Sequence, residues 1–154
     1  MRNRLEKIRG IVDKLIQENC PRSSKYFTIH LYGVSEYCAL LAIRRNLNPE
    51  LAAVSGMLHD IYQITGGELE GHAAKGAEVA KEILQGTGDF TKKEIEIITT
   101  AITWHSKKRK VHEPYDEILK DADVLSHSLY NTDFAVIEKD AARFEALKTE
   151  LGCI

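Results

Sequence analysis

No stretch of the 154-residue sequence approaches the roughly 20 consecutive apolar residues that a membrane-spanning helix needs. The N-terminus, MRNRLEKIRGIVDKLIQENC, lacks the continuous apolar region of a signal peptide. A cytoplasmic location with no membrane partner is therefore expected. Cysteine is scarce and odd in number: Cys20, Cys38 and Cys153, with no CxxC or zinc-like spacing. That excludes a disulfide framework and suits reduced thiols in the cytosol. Cys38, inside EYCALLA, reads as a small core hydrophobe. Neither sign of charge dominates, with 21 Lys and Arg against 23 Asp and Glu and a net charge of −2. The global field thus favours neither nucleic acid nor an anionic membrane. Sustained strand alternation, internal repeats, low-complexity tracts and long linkers are all missing.

What is there reads as helix almost throughout. Leu5, Ile8, Val12, Leu15 and Ile16 recur at helical spacing over residues 2–19, and Pro21 ends the pattern. A longer apolar helix covers 26–46. Asn48-Pro49 supplies an N-cap and a proline at the first helical position for a helix ending near Asp60. Gly66, Gly67 and Gly71 mark 61–71 as a loop. Helices follow from His72 to Gln85, from a Thr91/Glu94 capping box to His105, and over about 115–130 and 133–150. SKKRKVHEP is a polar loop. The expected fold is all-α, a single-domain bundle of six to seven helices spanning residues 1–154.

The polar residues on these helices carry the chemistry. His30 shares a stripe with Val34, Tyr37 and Leu41. His105 continues the stripe of Ile95, Ile98 and Ile102. His72 precedes Gly76, Val79, Ala80 and Ile83 on one face. Asp123 lies near Leu119 in LKDADVLSHSL, and His59-Asp60 ends the run LAAVSGML. Each alone reads better as an ordinary core, boundary or solvated residue than as a ligand. Together they are six ionisable groups on five helices that point along, or end, inward faces. Burying a polar group without a partner costs about 2–7 kcal/mol, so one shared centre is more economical than six separate solutions. Imidazole and carboxylate are the ligands of divalent first-row metals. A helix C-terminus at His59-Asp60 also favours a cation.

The order His30, His59-Asp60, Asp123, with the strings LHDI, GHAAKGAEVA and KDADVLSH, resembles the HD-domain superfamily of metal-dependent phosphohydrolases over about residues 25–130. The additional His72 and His105 resemble its subgroup that binds two metals. The resemblance implies that His30, His59, Asp60 and Asp123 hold one ion. His72 and His105 would hold a second, Asp60 would bridge, and a water between the ions would be the nucleophile. It further implies two divalent ions, Fe or Mn foremost with Zn, Ni, Co or Mg as alternatives. Two positions depart from the family's usual text. Tyr62-Gln63 stands where members often carry Gly-Lys. Phe27 stands where many carry Arg, with Arg22 and Lys25 nearby. These bear on substrate phosphate contacts rather than on the metal.

Lys75, three residues after His72, is a candidate for catalysis or phosphate contact, or an exposed helix lysine. Lys107, Lys108 and Arg109, in the KKRK run after His105, are candidates for attracting a phosphorylated substrate. His112 reads as a surface residue, and His127 as either a partner of Asp123 or an exposed side chain. Tyr62 and Trp104 are candidates for stacking on a nucleobase or for packing at the core edge. The expected activity is hydrolysis of a small phosphate ester, a nucleotide or a dinucleoside polyphosphate, since similar six-ligand bacterial proteins include a diadenosine tetraphosphate hydrolase group. An HD-fold di-iron oxygenase and a non-catalytic metal-binding regulatory module are the alternatives.

Overall fold

The structure is a computed structural model that describes residues 3–153, and all of its regular structure is helical. The expected helix 2–19 begins at a position outside the described residues. Within them α1 runs Arg4–Asn19, with the Asn3 side chain accepting from the Glu6 N–H. Its buried stripe is Ile8, Val12 and Ile16, one residue per turn. α2 spans Ser24–Arg44, and Asn46, in the left-handed region at φ 56°, turns the chain away soon after it. α3 spans Pro49–Leu58, and the Asn48 side chain accepts from the N–H groups of Glu50 and Leu51.

Residues 61–71 are not all loop. Ile61–Ile64 form a single turn, α4, because Ile61 and Ile64 are both fully buried and one helical turn points them to the same side. α5 covers His72–Thr87, two residues longer than expected. Gly88, at φ 68°, makes the left-handed stop, whereas Gly86 stays helical. α6 spans Lys92–Trp104 behind the Thr91/Glu94 capping box, and α7 spans Pro114–Tyr130. α8, Glu138–Glu150, starts five residues later than the expected 133. Asn131 explains the delay: its side chain accepts from the Asp133 N–H and its carbonyl from the Phe134 N–H, which closes a turn instead of a helix.

α3 and α7 are the inner helices. Every α3 residue from Leu51 to Leu58 is buried, as is every α7 residue from Ile118 to Ser126. α2 packs along both, and α5 pairs with α6, which in turn lies on α3 and α7. α1 covers α3, and α8 covers α7. The α2–α3 approach is close enough that a Cβ on Gly56 would lie 2.7 Å from Ser35 Cα. No helix among the described residues is long and apolar enough to cross a membrane. Cys20, Cys38 and Cys153 are free thiols, and burial pushes the Cys38 thiol well above its ordinary pKa.

Candidate metal centre

α3 stops at Leu58. His59 keeps helical angles, but Asp60 (φ −106°, ψ 19°) breaks from them before α4 begins. On an uninterrupted helix, adjacent side chains diverge by about 100°. The break lets His59 and Asp60 face the same point. His30 arrives there from mid-α2, His72 from the first turn of α5, His105 from the end of α6 and Asp123 from mid-α7.

Two histidine pairs meet across Asp60. His30 Nε2 and His59 Nε2 are 3.2 Å apart, and they lie 3.7 and 3.4 Å from Asp60 Oδ2. His72 Nε2 and His105 Nε2 are 3.1 Å apart, each 3.6 Å from Asp60 Oδ1. The two oxygens of one carboxylate therefore serve different pairs. Asp123 Oδ1 closes the first group, 3.4 Å from His30 Nε2 and 3.8 Å from His59 Nε2. The triads His30/His59/Asp60, Asp60/His72/His105 and His30/Asp123/His127 each keep their ligand atoms within 4.8 Å of one another.

The backbone sets the ring orientations. His59 Nδ1–H donates to the Gly56 carbonyl (2.8 Å), His72 Nδ1–H to Leu69 (2.7 Å) and His105 Nδ1–H to Ile102 (2.7 Å). The His30 Nδ1 partner is the Ser126 hydroxyl at 3.1 Å. With the proton held on Nδ1, each Nε2 directs a lone pair at the centre. At His72 and His105, two lone pairs 3.1 Å apart repel unless a cation lies between them. Asp123 Oδ1, buried and without a hydrogen-bond partner, points into the same space. Metal–ligand bonds of about 2.0–2.2 Å place neighbouring ligand atoms about 3–3.5 Å apart. The donor set, its spacing and the orphaned oxygen all fit divalent metal.

Charge distribution matches. Burial alone would lower the His59 pKa, but Asp60 and Asp123 outweigh it and raise it to about 9. Burial would raise Asp60, yet His59, His105 and His30 hold it well below the usual carboxylate range. Burial likewise opposes ionisation of Asp123, and Lys108, His59, His127 and His30 overcome it. A proton can thus stand where a metal would.

The other sequence candidates separate. Lys108 turns inward, its ammonium on Asp123 Oδ2, whereas Lys107 and Arg109 are exposed. Lys75 lies over the Tyr62 ring, 5.2 Å from its centroid. His127 Nδ1 reaches Asp123 Oδ1 at 3.5 Å, and its ring stacks on His30 at 4.7 Å. His112 departs from the expected surface position: it is partly buried, stacked on Trp104 at 4.6 Å, and its Nδ1 accepts from Lys120. Trp104 is itself 38% exposed and does not pack in the core. Tyr62 is partly buried beside Gly67. Phe27 packs on the core, and Arg22 and Lys25 are exposed.

Sequence reasoning missed Ser126, Tyr26, Lys120 and Arg143. Tyr26 stacks on His30 at 5.8 Å. The available signal for Lys120 was its place in LKDADVL, a helical stretch with too many apolar positions to leave a solvated face. Arg143, on α8, carries no local signal.

A family model for the HD domain matches residues 27–128. Ribonuclease Y of Clostridium tetani is 30% identical over 120 residues, covering 77% of this chain and 21% of that protein. Ribonuclease Y of Lawsonia intracellularis is 28% identical over 124 residues, covering 80% and 22%. The chain spans about a fifth of the length of these curated relatives. A crystal structure of a predicted HD superfamily hydrolase from an uncultured Thermotogales bacterium aligns with a TM-score of 0.64 at 22% identity. It covers 96% of this chain and 89% of that one, a likeness of fold.

Proposed function

The chain belongs to the HD-domain family, and from that premise we propose that it is a dinuclear metal-dependent phosphohydrolase. Asp60 carries the reading, because its Oδ2 faces His30 and His59 while its Oδ1 faces His72 and His105. His30, His59, Asp60 and Asp123 would hold one ion, and Asp60, His72 and His105 the other. Divalent ions there would supply Lewis acidity and lower the pKa of a water from 15.7 to about 7. No serine or cysteine nucleophile is then required.

The chain's own groups do the remaining work. The carbonyls of Gly56, Leu69 and Ile102 accept from three imidazole Nδ1–H groups and so keep the Nε2 atoms of His59, His72 and His105 aimed inward. Solvent reaches the cluster on the side of Asp60, His72 and His127, whose side chains are 14%, 16% and 39% exposed. Substrate would enter there, with Lys75, Lys107 and Arg109 as exposed cations to attract phosphate. Basic and acidic residues nearly balance, which favours a small phosphate ester such as a nucleotide or dinucleoside polyphosphate over a long polyanion. The relatives' name, Ribonuclease Y, favours a second reading in which the ester is a phosphodiester of RNA.

The deciding experiment has two parts. Elemental analysis of protein purified without chelator should find two metal equivalents, falling toward one in His72→Ala. Nucleotides, dinucleoside polyphosphates and a short single-stranded RNA are then assayed with Mn²⁺ or Fe²⁺. Turnover by wild type and its loss in Asp60→Asn is the expected result. Protein with metal bound and no turnover on any substrate overturns the catalytic reading; metal-free protein overturns both readings.

A further inference from the structure

The segment between α6 and α7 has four consecutive cations, Lys107 to Lys110. Like charges in series repel, which favours an extended, solvated segment. Residues 105–113 contain no helix or strand. Their own backbone bonds include Lys107 N–H to the Trp104 carbonyl (2.9 Å) and Lys110 N–H to the Lys107 carbonyl (3.1 Å). Yet Lys108 turns inward while its three basic neighbours are exposed.

Two cations from other elements hold the segment by its carbonyls. Lys120, fully buried on α7, donates to the Lys110 carbonyl at 2.8 Å, to His112 Nδ1 at 2.6 Å and to Glu117 Oε1. An ammonium has three N–H donors, and all three are used. Arg143, on α8, donates to the Lys108 carbonyl at 2.8 Å, to Glu117 Oε2 at 2.9 Å and to Asp121 Oδ1 at 2.6 Å. Glu117 joins the two, and its Oε1 also accepts the His112 N–H at 3.1 Å. Arg143 lies beyond residue 128, where the family match ends.

We propose that Lys120 and Arg143 are positioning residues for the metal end formed by His30, His59, Asp60 and Asp123. They fix the 106–113 segment so that Lys108 occupies Oδ2 of Asp123. Only Oδ1, the atom with no hydrogen-bond partner, is left to face the centre. A carboxylate otherwise free to offer either oxygen, or both, is held to one. The inference rests on the metal reading above.

Mn²⁺ titration calorimetry on the full chain tests it. Wild type should show two binding steps. Lys108→Met and Arg143→Met should each weaken one step by about 10–100-fold and leave the other unchanged. The double variant should bind no more weakly than Lys108→Met alone, because Arg143 acts through Lys108. Arg143→Lys should recover part of the loss. Lys120→Met should move the same step; should it fail to fold, the partly exposed Arg143 still decides. Additive losses, equal weakening of both steps, tighter binding or no change would overturn the assignment. Wild type that binds no Mn²⁺ overturns the metal reading as well, whereas wild type that binds two and variants that match it overturn this inference alone.

Discussion

His59 shows how one side chain couples protonation to metal. In the metal-free protein Asp60 and Asp123 raise its pKa from 6.5 to about 9. A metal at Nε2 must displace that proton, so binding releases it. Apparent Mn²⁺ affinity should rise by about tenfold per pH unit below 9 and level off above it. Calorimetry in buffers of different ionisation enthalpy would count the proton; no release at pH 7 would contradict the assignment. Stability carries the opposite trend. A folded pKa above the unfolded one stabilises fully below about 6.5, and the gain is lost as pH rises toward about 9. Metal-free protein should therefore lose stability across that window. All six residues of this cluster could be picked out of the sequence because each ionisable group falls on, or ends, an apolar stripe. Ser126 and Arg143 could not, because a hydroxyl and a guanidinium acquire their roles only from what lies across the fold.

At the level of the helices, the α2–α3 contact governs whether the two histidines of the first pair can meet. A Cβ at Gly56 would press on Ser35 Cα at 2.7 Å and Ser35 N at 2.8 Å, both backbone atoms that cannot rotate aside. Gly56→Ala would gain up to about 1 kcal/mol of helix propensity, but overpacking costs about 1–3 kcal/mol. The helices must separate, and with them His30 and His59, now 3.2 Å apart at Nε2. Denaturant unfolding should show a net loss of stability and metal titration a weaker first site; unchanged behaviour in both would contradict the packing argument. The helix starts at Pro49 and Lys92 were legible because caps and proline act locally. The late start of α8 and the turn of α4 were not. The first depends on an asparagine turn competing with helix, the second on burial of Ile61 and Ile64 by distant elements.

For the molecule as a whole, the metal would act as a crosslink. The six donors come from α2, the α3–α4 junction, α5, the end of α6 and α7, and none from α1 or α8. A ligand present at 100 times its Kd stabilises the folded state by about 2.7 kcal/mol. For a chain of this size that corresponds to about 5–10 °C in Tm. Treatment with chelator should lower Tm by this order, and Mn²⁺ should restore it. Equal melting of both forms would mean that the helices meet at that point without help from an ion.

The sequence by itself determined the helical class, most helix boundaries and the six residues that cluster. Periodicity, capping and the clash of ionisable groups with apolar faces are local signals, readable without knowing which helices touch. The tertiary structure decided what depends on distance between remote elements. It divided Asp60 between two histidine pairs, turned Lys108 and not its neighbours onto Asp123, and brought Lys120 and Arg143 to the carbonyls of a loop that its own charges would otherwise extend. Those contacts link residues far apart in the chain or on different helices, and only packing around the two buried helices α3 and α7 brings them within hydrogen-bonding range.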